Sequence, residues 1–171
     1  MGDIIQFNVR GLKTVELRKK KVDFISKILD EQNTIFLSLQ ETRLTEYDQI
    51  PTKIIHYEHL YHIIFCGATN DDPGSGILIF IKRTEEVLKN SNLIQGRLAH
   101  VQTKNKVTGN VLNFFSFYGK SNVGSDYANC LITKLDNEIS NDNLKNNIIC
   151  GDFNFFHFNN RQKYKPYYTN R

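Results

Sequence analysis

The 171-residue chain has no tryptophan, one methionine, three prolines and only three cysteines. Cys66, Cys130 and Cys150 are unevenly spaced and form no Cys-x-x-Cys pair, which argues against both a disulfide framework and a zinc knuckle. Cys150 falls inside an apolar stretch, where a thiol behaves as a small hydrophobe. A reducing, intracellular setting is the expectation, nuclear or cytoplasmic. Asp3 and Gln6 interrupt the N-terminus before a long apolar run can form, so no signal peptide is visible. The longest apolar run, residues 77–81, is far too short to cross a bilayer, and no membrane association is expected. Internal repeats are also lacking.

What is present suits an ordinary globular core. Hydrophobic residues make up 40% of the chain and charged residues 23%, which excludes a disordered polymer, and the length suits one domain over residues 1–171. Lysine and arginine number 22 against 18 acids, a net charge of +4 compatible with a polyanionic partner but weak as an argument for one.

Strand-like and helix-like segments alternate. Residues 4–9 read as a strand with Arg10-Gly11 as its turn, and residues 14–31 read as an amphipathic helix. Thr14 is its cap, and Val15, Val22, Ile25, Ile28 and Leu29 form its apolar stripe. Residues 34–40 form the next strand, a β-α-β opening with strands apolar on both faces. Residues 62–65, 76–81, 98–103 and 111–118 read as further strands, and short turns such as Thr108-Gly109-Asn110 point to antiparallel neighbours. A second helix covers residues 125–139, with Leu131, Leu135 and Ile139 on one stripe. A last, buried strand spans residues 147–151. Residues 155–171 interleave aromatic and basic side chains, either for single-stranded nucleic acid or as part of a core that this chain does not complete. His56, His59 and His62 recur every third residue, but Tyr57, Leu60, Tyr61 and Ile63 around them favour a loop entering a strand over a zinc site.

Three strand ends carry oxygen-rich side chains: Asn8, then Gln40-Glu41, then Asp152 and Asn154 after Gly151. Such ends can hold a hard cation against a phosphate. Each residue also has a plainer reading. Glu41 can be a solvated acid paired with Arg43, Asn8 a turn residue, and Gly151-Asp152-Phe153-Asn154 an Asx-turn. Tyr118, ending its own strand, can donate to a non-bridging oxygen or simply line a rim.

Order and context resolve the choice. Phe7-Asn8-Val9-Arg10-Gly11-Leu12, Leu39-Gln40-Glu41-Thr42-Arg43-Leu44, Gly76, Tyr118-Gly119 and Gly151-Asp152-Phe153-Asn154 follow one another as in the endonuclease/exonuclease/phosphatase superfamily. The chain resembles most closely the endonuclease domain of LINE-type retrotransposons, although Phe7 stands where that family commonly has tryptophan. The resemblance implies an α/β fold, the DNase I-like sandwich of two mixed β-sheets flanked by helices, incomplete at the C-terminus. It implies Mg²⁺ or Mn²⁺ on Glu41 with Asn8 beside it, and no small-molecule cofactor. It implies that Tyr118 contacts the scissile phosphate, that Asp152 positions or deprotonates the water, and that Asn154 helps hold the transition state. The implied reaction is metal-assisted hydrolysis of DNA, leaving a 3′-hydroxyl.

The family's late Ser-Asp-His motif has no counterpart, and Asn160-Arg161 stands where Asp-Arg is common. His157 follows the acid–amide pair and reads as a surface or stacking residue more readily than as a substitute base. The expectation is therefore a fragment that nicks weakly or not at all and tends to aggregate. A phosphatase or phosphodiesterase of the same superfamily is one alternative. A non-catalytic nucleic-acid-binding module using Arg18-Lys19-Lys20-Lys21 and the aromatic tail is the other.

Overall fold

In chain order the elements are β1 (Asp3–Asn8), α1 (Val15–Asp30), β2 (Thr34–Gln40), the short helix α2 (Thr52–Ile55), β3 (Tyr61–Cys66), β4 (Ile77–Lys82), β5 (Glu85–Ile94), β6 (Leu98–Asn105), β7 (Val111–Tyr118), α3 (Ser125–Asn141) and β8 (Asn147–Asp152). This computed structural model describes residues 2–12, 15–31, 33–120, 125–141 and 144–154. The expected cap Thr14 and the segment 155–171, with His157 and Asn160-Arg161, lie outside the described residues.

The strands form two four-stranded mixed sheets, ordered β1-β2-β4-β3 and β5-β6-β7-β8. Within each sheet one pair is parallel, β1 with β2 and β7 with β8, and the others are antiparallel. A parallel pair needs a crossover, and α1 and α3 supply the two. Both β-α-β units therefore send their strands out toward the same end of the molecule.

Alternation along the strands sorts side chains into three layers. Leu37, Leu39, Leu78 and Phe80 face the α1 stripe of Val22, Ile25, Ile28 and Leu29. Phe36, Ile77, Ile79 and Ile81 face the second sheet, where they meet Ala99, Val101, Phe114 and Tyr118. Phe115 and Phe117 point outward to Leu131 and Leu135 of α3. The rings of Phe36 and Phe114 stack 4.3 Å apart across the sheet interface. Burying each such ring contributes about 1.5–3 kcal/mol.

Three expectations change. β5 was not read as a strand, because it alternates charged and polar residues outward and lies at the end of its sheet. Edge strands of that composition resist pairing with other chains, which masks their apolar signal. The segment around His56 and His59, read as a loop, forms a 3₁₀ turn over His56–His59, directly after α2. The 147–151 strand was read as buried, but among the described residues β8 stands last in its sheet and Ile149 is 44% exposed. An apolar run says nothing about which place in a sheet it takes.

Candidate active site

Asn8, Glu41, Tyr118 and Asp152 sit at or just past the C-terminal ends of β1, β2, β7 and β8. Register aligns the ends within each sheet, since Asn8 pairs with Gln40 and Tyr118 with Asp152. Strand ends of this kind are where parallel sheets place their ligands. The four side chains meet across the seam between the sheets. Asn8 Nδ2 donates to Asp152 Oδ2 at 2.6 Å. The Glu41 carboxylate accepts hydrogen bonds from Asn8, Arg43 and the Tyr118 phenol.

Backbone geometry aims Glu41. It adopts φ of 56°, a left-handed conformation that costs a non-glycine residue about 1–2 kcal/mol. Pairing on both sides holds it there. Gly11 N donates to Glu41 O at 2.7 Å, Leu12 N to Thr42 O at 2.9 Å, Thr42 N to Gly76 O at 3.1 Å and Arg43 N to Ser75 O at 2.8 Å. Gly76 allows this close pass, because a Cβ there would stand 2.4 Å from Thr42 Oγ1. Gly151 plays the same part for β8: its φ is 152°, and a Cβ would fall 1.9 Å from Phe117 O.

Beneath the cluster lies a buried polar seam. Gln40 Nε2 donates to Ser38 Oγ at 2.7 Å and to Ser116 Oγ at 3.3 Å, and Gln6 Nε2 donates to Gln40 Oε1 at 2.8 Å. Ser38 and Ser116 share a further hydrogen bond between the sheets. All three of Ser38, Gln40 and Ser116 are fully buried. The seam replaces apolar packing where β2 meets β7 and sets the height of Glu41 against Tyr118.

Electrostatics follow from this packing. Burial acts to raise the Glu41 pKa, but hydrogen bonds from Arg43, Asn8 and Tyr118, with the charge of Arg43, together hold it below the ordinary value. Burial, then the charge of Glu41 and the hydrogen bond to it, push the Tyr118 phenol up to about 12. Tyr118 therefore stays a hydrogen-bond donor at neutral pH.

Asn154 stands apart from the other four. Its Nδ2 donates to Gly119 O at 3.3 Å, and Gly119 N donates to Asp152 O at 2.7 Å, so the Gly-Asp-x-Asn turn is latched to Tyr118-Gly119. Phe153 stacks on Phe117 at 4.9 Å and anchors the same turn. The plainer readings also describe real contacts. Arg43 does pair with Glu41, and Asn8 Oδ1 does accept from Arg10 N at 2.9 Å as in an Asx-turn. These contacts coexist with the cluster because each side chain has oxygen or nitrogen left over.

Arg97, which sequence reading passed over, lies 4% exposed beside Tyr118. Its Nε and Nη2 donate to Asp72 Oδ2 and Oδ1 at 2.7 and 2.8 Å. The one signal in the sequence is an arginine placed immediately before the buried run Leu98-Ala99-His100-Val101. Of the basic helix face, Lys21 Nζ donates to Arg10 O and Gly11 O, at 2.9 and 2.8 Å, and Arg18 donates to Gln49 O. Of that run Lys19 and Lys20 are the exposed residues.

An open groove of about 600 Å³ adjoins the cluster, lined by Phe7, Asn8, Val9, Arg10, Lys21 and Asp152. A groove of similar size lies at the opposite sheet edges, among His62, Arg83, Glu86 and Lys106, far from this chemistry. Among the described residues no three or more histidine, cysteine, aspartate or glutamate side chains converge on one point. The strand-end cluster offers two carboxylates, Glu41 and Asp152, with the Asn8 amide between them. The two carboxylates suit Mg²⁺ or Mn²⁺, which keep waters and take substrate oxygens for the rest, whereas the Asn8 amide turns its nitrogen to the acids and its oxygen to Arg10 N. Among the described residues no helix is long and apolar enough to cross a membrane.

The sequence profile of the Endonuclease/Exonuclease/phosphatase family matches residues 5–170. No curated protein matches the chain in sequence. Among solved structures, an endonuclease/exonuclease/phosphatase family protein from Bacteroides thetaiotaomicron superposes with a TM-score of 0.67 at 13% identity, covering 88% of this chain and 62% of that one. The human Nocturnin catalytic domain with bound sulfate gives 0.63 at 17%, covering 88% and 63%. D. rerio TDP2 complexed with single-strand DNA product gives 0.60 at 17%, covering 88% and 60%. These similarities establish a shared fold, and the chain spans about three-fifths of the length of each structure.

Proposed function

Because the chain belongs to the endonuclease/exonuclease/phosphatase family, we propose that its strand-end cluster hydrolyses phosphodiesters with the help of a divalent cation, and that DNA is the substrate. One observation carries the reading: Asn8, Glu41, Tyr118 and Asp152 come from two sheets and four strands, yet form one hydrogen-bonded group. Bulk stability does not ask for two acids at the same seam.

Glu41, with Asn8 beside it, is the residue that would hold Mg²⁺ or Mn²⁺. When bound, such a cation supplies Lewis-acid charge against a phosphate oxygen, worth several kcal/mol in the transition state. The other roles belong to the chain itself. Asp152, aimed by the Asn8 amide at 2.6 Å, orients and deprotonates the attacking water. The Tyr118 phenol donates to a non-bridging oxygen as negative charge builds there. Asn154, its amide nitrogen donating to Gly119 O, steadies the turn that carries Asp152, and would have to leave that bond to reach the phosphate. The described histidines lie elsewhere; His100, for example, is buried against Glu138 and Asn113. Turnover by these residues alone is therefore expected to be slow.

The Leu39-Gln40-Glu41-Thr42-Arg43-Leu44 run, nearly a copy of the second motif of LINE-type retrotransposon endonucleases, supports that reading over a phosphatase acting on small phosphoesters. The single-strand DNA product in TDP2 is in keeping with a nucleic-acid substrate, and a mannosyl-6-phosphatase of the same fold is in keeping with the alternative. The non-catalytic binding module is less well supported, because Lys21 and Arg18 of its basic run are engaged on backbone carbonyls.

Mn²⁺ binding followed by electron paramagnetic resonance, alongside Mg²⁺-dependent nicking of supercoiled plasmid, tests the proposal. Binding should be saturable in the 171-residue chain and lost in Glu41→Gln, and slow nicking should vanish in Asp152→Asn. Mn²⁺ binding that survives Glu41→Gln would falsify the assignment. Faster hydrolysis of a small phosphoester than of plasmid would replace DNA as the substrate.

A further inference from the structure

We propose that Arg97 is a positioning residue for the Tyr118 phenol, and that through Asp72 it ties the 67–76 loop to the strand-end cluster. The proposal rests on the reading of that cluster given above, in which Tyr118 contacts the phosphate.

Arg97 touches Tyr118 in three ways. Its guanidinium carbon lies 4.5 Å from the centroid of the Tyr118 ring, over the face where a cation is attracted by the π system. Its Nη1 donates to Tyr118 O at 3.3 Å, and its own backbone oxygen accepts from Tyr118 N at 2.8 Å. The remaining guanidinium donors form the two-pronged contact with Asp72. A planar fork can serve the ring, the carbonyl and the carboxylate at once, whereas an ammonium cannot.

The contacts close a ring. Asp72 O accepts from Ser75 N at 3.1 Å and from Ser75 Oγ at 2.7 Å, which tightens the loop. Ser75 O and Gly76 O in turn accept from the backbone of Arg43 and Thr42, the residues that follow Glu41. Glu41 then accepts from the Tyr118 phenol, over whose ring Arg97 lies. Glu41, the 67–76 loop, Asp72, Arg97 and Tyr118 are thus one continuous circuit, and Arg97 is the link that joins its two halves.

A purely structural role accounts poorly for such a residue. Burying an ion pair is seldom more stabilising than apolar packing of the same volume. An aliphatic side chain would fill this space without aligning a phenol. What only arginine supplies here is orientation: a charge fixed above the ring and a hydrogen bond to its backbone, both set by the carboxylate behind them.

Nuclear magnetic resonance of the 171-residue chain carrying tyrosine labelled at Cζ tests this, since that carbon reports the hydrogen bonding of the phenol. The Tyr118 signal is identified by its loss in Tyr118→Phe, and Glu41→Ala marks its position without the carboxylate partner. In Arg97→Met the signal should travel at least half of the way to that position, while the other tyrosine signals and the circular dichroism stay put. Arg97→Lys and Asp72→Asn should shift it in the same direction by less. An unmoved Tyr118 signal in Arg97→Met overturns the proposal; if that variant does not fold, an unmoved signal in both milder variants does so. Failure of the underlying site reading shows separately, as Mn²⁺ binding indifferent to Glu41→Gln.

Discussion

Asn8 and Asp152 stand 144 positions apart in the chain, yet the amide of one donates to the carboxylate of the other at 2.6 Å. The contact joins the last residue of β1 in one sheet to the last residue of β8 in the other. Among the described residues both strands stand last in their sheets, so the cluster depends on how the two sheets face each other as well as on each strand's own register.

Gly151→Ala should therefore disturb the site without touching any of its polar groups. The new methyl would collide with Phe117 O, and β8 has to lift away from β7 to clear it. The expected cost is about 2 kcal/mol or more in a urea titration, given the steric conflict and the strained φ. Mn²⁺ binding should weaken as well, because Asp152 travels with the strand. Wild-type stability in this variant would show that β8 is not seated as described.

Tyr118→Phe should raise the pKa of Glu41. The phenol donates to the carboxylate and so favours its charged form, while burial acts the other way. The folded value of Glu41 lies below the ordinary 4.5, so the stability it contributes is present above that value and lost as pH falls through the lowered one. Without the phenol the folded value moves toward the ordinary one, so the loss should be smaller and should be complete at a higher pH. Carboxyl-carbon resonance of Glu41 across an acid titration measures this directly, and a downward or absent shift contradicts the hydrogen bond.

Gln40→Leu should destabilise the chain by about 1–3 kcal/mol, since it removes the donor to Ser38 and Ser116 and the acceptor of Gln6, leaving the two buried hydroxyls only each other. Replacing all three, with Ser38→Ala and Ser116→Ala added, should recover much of that loss, because no buried polar group then lacks a partner. Chemical denaturation of the single and triple variants decides it. A triple variant as unstable as the sum of its parts would mean that the seam is not one network.

Much of the fold was legible in the chain. The α1 stripe and the two-sided apolar strands β2 and β4 show themselves through periodicity, and their layers came out as that pattern required. The strand-end acids and amides were legible through their place just past apolar runs. β5 was not, because its composition answers to solvent on an exposed edge. The exposure of β8 was not, because Ile148-Ile149-Cys150 reads alike in the middle of a sheet and at its end. Arg97 escaped because local pattern cannot show that one arginine will be buried against Asp72 and a tyrosine ring.

The amino-acid order by itself determined which segments alternate in period two, which wind with an apolar stripe, and which oxygen-bearing side chains stand at strand ends. These are local properties, set by the backbone and by side chains a few positions apart. Only the tertiary structure decided that Glu41, Asn8, Tyr118 and Asp152 share one place, that Arg43 and Arg97 flank them, and that Asn154 turns aside to Gly119. The physical reason is that two sheets must bury their facing sides against each other. Packing Phe36 on Phe114 sets the angle and height at which one sheet's strand ends meet the other's.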